Sequence, residues 1–274
     1  MATEDQQTPK GNLKPQVYRD ERPSEHFTHF HERTRAKRPN WMYEFVRLML
    51  TPYLMLFFRT RAIDSDKVPA DGPAIVAPNH FSFLDHFFVA VYLRRKVQFM
   101  AKSQLFQMPM QIIYKNGGVF PVRRGHRDDE AFKTAHAILA RGGIVVMYCE
   151  GGRSRTADLG EPKPGIGRLA LEAGVPVVPS AIVGSAGVRN WRKLQFPKVT
   201  VHYGDPIRFE QVEEPTKEQS QGASEIIFSR IGTLFYGLRD GGRKRTIKAA
   251  RAARAARRRA QSAADAAGRR PATF

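Results

Sequence analysis

Short β-rich runs alternate with helix-like runs over residues 73–203, and this alternation restricts the possible folds more than any other feature. Branched and aromatic residues concentrate in the β-rich runs, and glycines end two of the helical patterns, at positions 142–143 and 174. Such alternation is typical of an α/β fold in which helices flank a mostly parallel sheet. The predicted strands are residues 73–78, 97–101, 119–122, 144–149, 177–183 and 199–203, and the predicted helices include residues 85–95, 128–141, 166–173 and 213–238.

A histidine and an aspartate follow the first predicted strand. Residues 79–85 read Asn-His-Phe-Ser-Phe-Leu-Asp, so four residues separate His80 from Asp85. Ser82 predicts a helix N-cap, and Asp85 then falls in the first helical turn. An imidazole and a carboxylate so placed can form a general base oriented by an acid, although Asp85 could instead complete a capping box. No serine or cysteine stands beside them as a nucleophile, so the pair would deprotonate a substrate hydroxyl.

Arginines follow two further predicted strands. Residues 117–125 read Gly-Gly-Val-Phe-Pro-Val-Arg-Arg-Gly, and residues 148–155 read Tyr-Cys-Glu-Gly-Gly-Arg-Ser-Arg. Guanidinium groups make paired hydrogen bonds to phosphate, and glycines let backbone N–H groups approach an anion closely. Solvated surface charge explains one such turn equally well. Two of them favour a site for a phosphate-bearing ligand at the strand ends.

The order of these motifs resembles that of the glycerolipid acyltransferases, whose best-known branch is the lysophosphatidic acid acyltransferases. The resemblance covers residues 71–205 and adds a fourth block, Val-Pro-Val-Val-Pro at residues 175–179. It implies that a histidine removes a proton from the acceptor hydroxyl while that oxygen attacks a fatty acyl thioester. On this basis His80 is the base and Asp85 orients it.

The same resemblance assigns the acceptor site. It implies that Arg124 binds the acceptor phosphate, with Arg123 as the second candidate. Glu150 would repel an anion, so we expect it to accept hydrogen bonds from arginines or from the backbone and to orient them. The third block contributes Glu150, Gly151, Gly152, Arg153 and Ser154.

Two departures and the fourth block qualify this assignment. Gly152 stands where the family commonly has threonine, and Cys149 where it commonly has proline, so the turn can differ in detail. Pro176 and Pro179 are assigned to the acyl-donor side or to the core. Cys149 is the only cysteine, which excludes an internal disulfide; we expect a buried, inert thiol rather than an acyl-cysteine intermediate. We expect no metal site and no cofactor.

The whole chain divides into four predicted regions. Residues 1–40 are polar and expected to be loosely ordered, and residues 62–240 form the predicted acyltransferase domain. Residues 41–61 are apolar, but Glu44, Arg47 and Pro52 interrupt them, and a spanning helix needs ~20 apolar residues. Basic residues on both sides favour a helix that enters and leaves the membrane from its cytoplasmic face, with an ordinary core helix as the alternative.

The last region, residues 241–274, is a basic tail. Eleven Lys and Arg residues against one Asp give it ten of the nineteen net positive charges of the chain. Its alanines and arginines favour either a solvated helix or disorder. Each basic residue near an anionic membrane contributes ~1 kcal/mol, but nucleic acid would attract the same charges, so the sequence leaves the partner open.

Together these patterns predict a peripheral or monotopic enzyme on the cytoplasmic face of the membrane. It would transfer a fatty acyl group from acyl-CoA or acyl carrier protein to the hydroxyl of lysophosphatidic acid. Its expected partners are the lysophospholipid, the acyl donor and an anionic membrane surface. The alternatives are another lyso-lipid or glycolipid acceptor, or a non-enzymatic protein that uses the tail to bind a membrane or nucleic acid.

Overall fold

A seven-stranded sheet forms the centre of the fold. The computed structural model describes residues 20–123, 128–188 and 196–268. The strand order is β1-β7-β6-β2-β5-β3-β4, and every neighbouring pair is parallel except β6 and β7. The predicted α/β class with a mostly parallel sheet is therefore confirmed. The strands are β1 (Arg61–Ile63), β2 (Ala74–Pro78), β3 (Gln98–Lys102), β4 (Phe120–Val122), β5 (Ile144–Val146), β6 (Val177–Val183) and β7 (Thr200–Tyr203).

Helices cover both faces of this sheet. On one face, Leu54 of α2 and Phe88 of α3 belong to one hydrophobic core, and on the other Ile138 of α5, Leu169 of α6 and Ile227 of α7 belong to a second. Strands covered on both sides read as continuous apolar runs, as β2 and β6 do. The helices are α1 (Thr28–Ala36), α2 (Trp41–Phe57), α3 (Asp85–Ala90), α4 (Met110–Gly117), α5 (Asp129–Ala140), α6 (Pro164–Ala173), α7 (Lys217–Gly241) and α8 (Arg243–Gly268).

All six predicted strands are present, with ends that differ by a few residues. The predicted helix at residues 85–95 is wrong in length, because α3 stops at Ala90. The last predicted helix begins later than expected, at Lys217, because the side chains of Thr216 and Gln219 cap its start reciprocally. Strand β1 was not predicted: three residues are too few to show alternation, and its first residue lies in the segment assigned to the interfacial helix.

The segment before residue 40 is more ordered than its composition predicts. A 3-10 helix at Ser24–Phe27 leads into α1. Phe27 and Phe30 are buried and form a small separate core with Phe106. Two buried phenylalanines are enough to hold such a segment but too few to produce a periodic pattern. Residues 1–19 lie outside the described part of the chain.

Helix α2 keeps much of its apolar surface exposed. It is 17 residues long and contains Pro52. Trp41, Leu48 and Leu56 are 66%, 65% and 73% exposed, whereas Leu54 is fully buried against the sheet. None of the described helices is both long enough and apolar enough to cross a membrane. One side of α2 therefore packs into the core, and the other side is exposed.

Close contact between α6 and α7 generates a stability prediction. A Cβ atom on Gly167 of α6 would lie 1.9 Å from the carbonyl oxygen of Ser220, so Gly167→Ala must push α7 away. We expect the free energy of unfolding in urea to fall by about 1–3 kcal/mol. Gly222→Ala on α7 is the matched control, since its Cβ meets nothing within 4 Å. Equal stabilities of the two variants would contradict the proposed packing.

Candidate active site

The polar candidates gather at one edge of the sheet. Strands β2, β5, β3 and β4 are parallel neighbours, so their carboxyl ends share an edge. His80 follows β2, Tyr148 and Glu150 follow β5, and Arg123 follows β4. Open α/β sheets bind ligands at this edge. The sheet order places the first two loops side by side and Arg123 farther away, at the end of an edge strand.

Asp85 holds the imidazole of His80 by a direct hydrogen bond. Nδ1 of His80 lies 2.9 Å from Oδ2 of Asp85, whose side chain is fully buried. The same oxygen accepts the backbone N–H groups of Phe81 and Ser82, each at 2.7 Å. Because a carboxylate only accepts, Nδ1 carries the proton and the lone pair of the neutral ring lies on Nε2. The two side chains therefore meet as the sequence predicts.

The predicted role of Ser82 as N-cap is wrong. Helix α3 begins at Asp85, and Leu84 occupies the position before it. Ser82 instead accepts the backbone N–H of Leu84 through its hydroxyl, at 3.2 Å, within the turn that precedes the helix. Serine favours such local turns as readily as caps. The carboxylate of Asp85 serves the preceding loop, so the base and its orienting acid belong to one compact turn.

Two further contacts fix the backbone of His80. The side-chain amide of Asn79 donates to the carbonyl of Ile182 at 3.1 Å and accepts the N–H of the same residue at 2.7 Å. The pairing of β2 with β6 thus continues through a side chain. On the other side, the N–H of Ser154 donates to the carbonyl of His80 at 2.8 Å. This bond joins the glycine and arginine turn directly to the histidine loop.

Tyr148 and His86 complete the surroundings of the histidine. The ring of Tyr148 stacks on that of His80, with centroids 3.9 Å apart and planes 19° from parallel. His86 meets both rings edge-on, at 5.4 Å from His80 and 5.1 Å from Tyr148. The stacked phenol confines the imidazole plane, and its electron-rich face favours a positively charged ring.

Sequence reasoning missed both of these residues. The sequence assigns no role to His86, and it places Tyr148 only within the predicted strand at residues 144–149. The register of the sheet is the feature that brings Tyr148 to His80. Val76 of β2 pairs with Val146 of β5, so the residues that follow the two strands lie side by side. Among the described residues, the Tyr148 hydroxyl has no hydrogen-bond partner. Burial raises the pKa of Tyr148 well above its usual range, so it remains a neutral phenol.

Glu150 is buried beside this cluster and is 8% exposed. Burial raises the pKa of its carboxyl group to about 7, against the opposing influence of backbone N–H groups in Gly160, His80 and Ser154. Neither carboxylate oxygen has a hydrogen-bond partner in good geometry among the described residues, and the expected role of Glu150 in orienting the arginines stays a prediction. Glu150 is therefore a carboxyl group that can be protonated near neutral pH.

The remaining acceptor candidates separate into two groups. Gly151 has a φ of +64°, which favours glycine, and the turn keeps Gly152 buried and Arg153 half-buried. The hydrogen bond from the Ser154 N–H to the His80 carbonyl places this turn next to His80. Arg123 is held through its backbone N–H, which donates to Oδ2 of Asp128 at 2.6 Å. Arg124, the preferred phosphate residue, lies outside the described residues.

The fourth block and the cysteine lie in the core. Pro179 stands in β6 opposite Ala77 of β2, and the carbonyl of Pro176 accepts the N–H of Ile75 at 2.9 Å. Burial raises the pKa of the Cys149 thiol above its usual value, which disfavours the reactive thiolate. Within the described ranges no three His, Cys, Asp or Glu side chains come together as metal ligands would.

An apolar groove of about 370 Å³ opens beside the histidine cluster. Helices α2, α3 and α4 form its walls, and His86 and Phe83 stand at the end nearest His80. Val91, Ala101 and Ile113 line the rest with other aliphatic and aromatic residues. A groove of this kind can accept a hydrocarbon chain.

The raised pKa of Glu150 generates a prediction about stability. Between pH 4.5 and about 7 the folded state binds a proton that the unfolded state releases, so stability falls as pH rises through this interval. Relative to Glu150→Gln, we expect wild type to lose at most about 3 kcal/mol, since one pKa unit corresponds to about 1.4 kcal/mol. Urea unfolding at several pH values measures this, with Glu213→Gln, at an exposed carboxylate, as control. Parallel pH profiles for wild type and Glu150→Gln would refute it.

Comparisons with known proteins agree with this architecture. The Acyltransferase family profile matches residues 59–183. The 1-acyl-sn-glycerol-3-phosphate acyltransferase of Bacillus subtilis is 28% identical over 197 residues, covering 70% of this chain and 96% of the relative. The human 1-acyl-sn-glycerol-3-phosphate acyltransferase beta is 32% identical over 147 residues, which cover 50% of this chain and 51% of the human protein. A chloroplastic relative from Brassica napus is matched over only 39% of its length.

The same fold is present in a solved structure. The crystal structure of the 1-acyl-sn-glycerophosphate acyltransferase from Thermotoga maritima superposes with a TM-score of 0.51 at 18% identity. The match covers 76% of this chain and 89% of that chain. The four ordered blocks, the shared fold and the family match lead to one assignment. Residues 59–183 form an acyltransferase domain, and this chain, which is similar to glycerolipid acyltransferases, is an acyltransferase.

Proposed function

We propose that this enzyme transfers a fatty acyl group from an acyl thioester to the free hydroxyl of lysophosphatidic acid, forming phosphatidic acid for phospholipid biosynthesis. The observation that carries the proposal is the His80–Asp85 hydrogen bond at the mouth of an apolar groove and beside an arginine turn. The relatives named above act on 1-acyl-sn-glycerol-3-phosphate according to their names, which supports this acceptor.

The chemistry requires one base and one acid. Nε2 of His80 takes the proton of the acceptor hydroxyl while its oxygen attacks the thioester carbonyl carbon. The carbon–sulfur bond then breaks, and the imidazolium returns the proton to the departing thiolate. Asp85 and the stacked ring of Tyr148 both favour the imidazolium that exists between the two transfers. No covalent enzyme intermediate is needed, which agrees with the inert state of Cys149.

The acceptor phosphate is proposed to bind at the turn after β5. Arg153 provides a guanidinium group in a loop tied to His80 through Ser154. Arg123 and Arg124 would add charge from the end of β4. A phosphate bound there positions the hydroxyl for attack, which replaces a random encounter by a fixed geometry. A protonated Glu150 would sit beside this dianion without repelling it, a role that its raised pKa permits.

The acyl donor is proposed to place its chain in the groove between α2, α3 and α4. The groove reaches the histidine cluster at His86, so a chain lying in it would present its thioester near His80. Acyl-CoA and acyl carrier protein offer the same thioester, and both carry the phosphate groups that a strongly basic protein attracts. We therefore propose either of these as the donor.

The enzyme is proposed to work at the surface of the membrane, on its cytoplasmic face. Exposed apolar side chains of α2 and α4 surround the groove, including Phe45 and Met49 at 50% and 54% exposure and Ile113 at 38%. A continuous surface of this kind is typical of proteins that lie in the bilayer interface. Substrates that reside in the membrane could then enter the groove from the side.

The catalytic pair provides the direct test of the reaction. His80→Ala and Asp85→Asn should each lower kcat by about 10²–10⁴-fold, as expected for loss of general-base catalysis. Thiol release that depends on added lysophosphatidic acid is the measurement. His26→Gln, on the exposed surface of the N-terminal 3-10 helix, serves as the histidine control. Full turnover by folded His80→Ala would exclude the proposed mechanism.

The groove predicts chain-length selectivity. Val91 lines it, so Val91→Phe should shift the preferred acyl donor toward shorter chains and Val91→Ala toward longer ones. A buried methylene contributes about 0.8 kcal/mol, which is about fourfold in kcat/KM for each carbon gained or lost. A series of acyl-CoA donors measures the shift. If the two variants keep the wild-type profile, the acyl chain does not lie in this groove.

A further inference from the structure

The basic helix α8 lies outside the region matched by the family profile, which ends at residue 183. It carries nine Lys and Arg residues and one Asp. Side chains 251–260 are all exposed, so no apolar packing holds this part of the helix. Its outer half is joined to the domain by the ion pairs Arg254–Asp66 at 3.1 Å and Arg257–Asp205 at 3.4 Å. Exposed ion pairs of this kind contribute little to stability.

The basic residues of α8 are not spread evenly around the helix. Arg243, Thr246, Ala250, Arg254 and Arg257 follow one another at helical spacing and form the side that faces the domain. At 3.6 residues per turn the other six basic residues fall within an arc of about 140° beside that side. Among the described residues, none of the six forms an ion pair. They are Lys244, Arg245, Lys248, Arg251, Arg258 and Arg259.

The start of α8 lies near the basic residues that follow the end of α2. Helix α2 ends with Leu56 and Phe57, which are 73% and 39% exposed, and Arg59 follows within two residues. Arg243 lies close enough to Arg61 and Arg59 that burial and these two charges lower its pKa. Apolar side chains and a dense set of guanidinium groups therefore share one boundary, at the end of α2.

We propose that the basic arc of α8 binds the anionic headgroups of a phospholipid bilayer while the adjoining apolar surface of α2 enters the interface. A bilayer offers both negative charge and hydrocarbon at one surface, whereas nucleic acid offers the charge alone. Charge complementarity and continuity with the apolar surface of α2 thus favour a membrane as the partner. This inference concerns where the enzyme binds and does not depend on which lipid it acylates.

The test is sedimentation of the full-length protein with vesicles of phosphatidylcholine alone or mixed with anionic phosphatidylglycerol. The variant Arg251→Gln/Arg258→Gln/Arg259→Gln removes three charges of the arc, and glutamine keeps the helix propensity. At about fivefold per basic residue, binding to the anionic vesicles should weaken about 100-fold. The matched control Lys133→Gln/Lys217→Gln/Arg230→Gln removes the same charge from exposed positions on α5 and α7, on the face of the sheet opposite α2, and should bind nearly as wild type does.

Three results would overturn the proposal. Unchanged vesicle binding by the α8 variant would exclude the basic arc as the membrane-binding site. Equal losses of binding in both triple variants would show that net charge alone, and not the arc, attracts the protein to the vesicles. Duplex DNA that strips the wild-type protein from anionic vesicles at equal phosphate concentration would identify nucleic acid as the preferred partner. Turnover of dispersed lysophosphatidic acid should be equal in wild type and both variants. If wild type shows no transfer, the proposed reaction fails, while the vesicle result still decides the role of α8.

Discussion

One buried carboxylate oxygen holds the catalytic end of this enzyme together. Oδ2 of Asp85 accepts the Nδ1–H of His80 and two backbone N–H groups of the connecting turn. The turn cannot relax without exposing these donors, and the imidazole cannot rotate without leaving the acid. Placing the carboxylate at the first residue of α3 also sets a negative charge at a helix N-terminus, where backbone N–H groups favour it. Loop shape, tautomer and ring orientation thus have one common cause.

The sheet and the His80–Asp85 pair could be predicted because both are encoded by short, local patterns in the sequence. Strands buried on two faces read as apolar runs, and the base and its orienting acid lie within six consecutive residues. Tyr148 could not be identified in this way, because its contact with His80 depends on the register of β2 with β5, which joins residues about 70 positions apart. His86 could not be identified from the sequence either, because the direction of its ring depends on the residue at which α3 begins. Helix α1 escaped prediction because two phenylalanines anchor its segment and no repeating pattern marks it.

The active site combines two adjoining surfaces, one polar and one apolar. At the carboxyl edge of the sheet, polar and titratable groups surround His80, and Glu150 is buried there at an energetic cost. Next to that edge, the walls of the groove are almost wholly apolar. An amphipathic substrate requires both environments within the length of one molecule. His86 and Phe83 mark the border, since they line the groove while His86 also touches the catalytic ring.

The edge strand β1 pairs with β7, whose residues come about 140 positions later in the chain. During synthesis, α2 and β1 therefore leave the ribosome long before the partner that completes their side of the sheet exists. In that interval α3 and α4 can already pack on α2, but the part of α2 that shares a core with Val199 and Val201 lacks this portion of its tertiary cover. Because β1 and β7 are so far apart in the sequence, the nascent chain exposes apolar surface that a lipid membrane or a chaperone can bind before folding is complete.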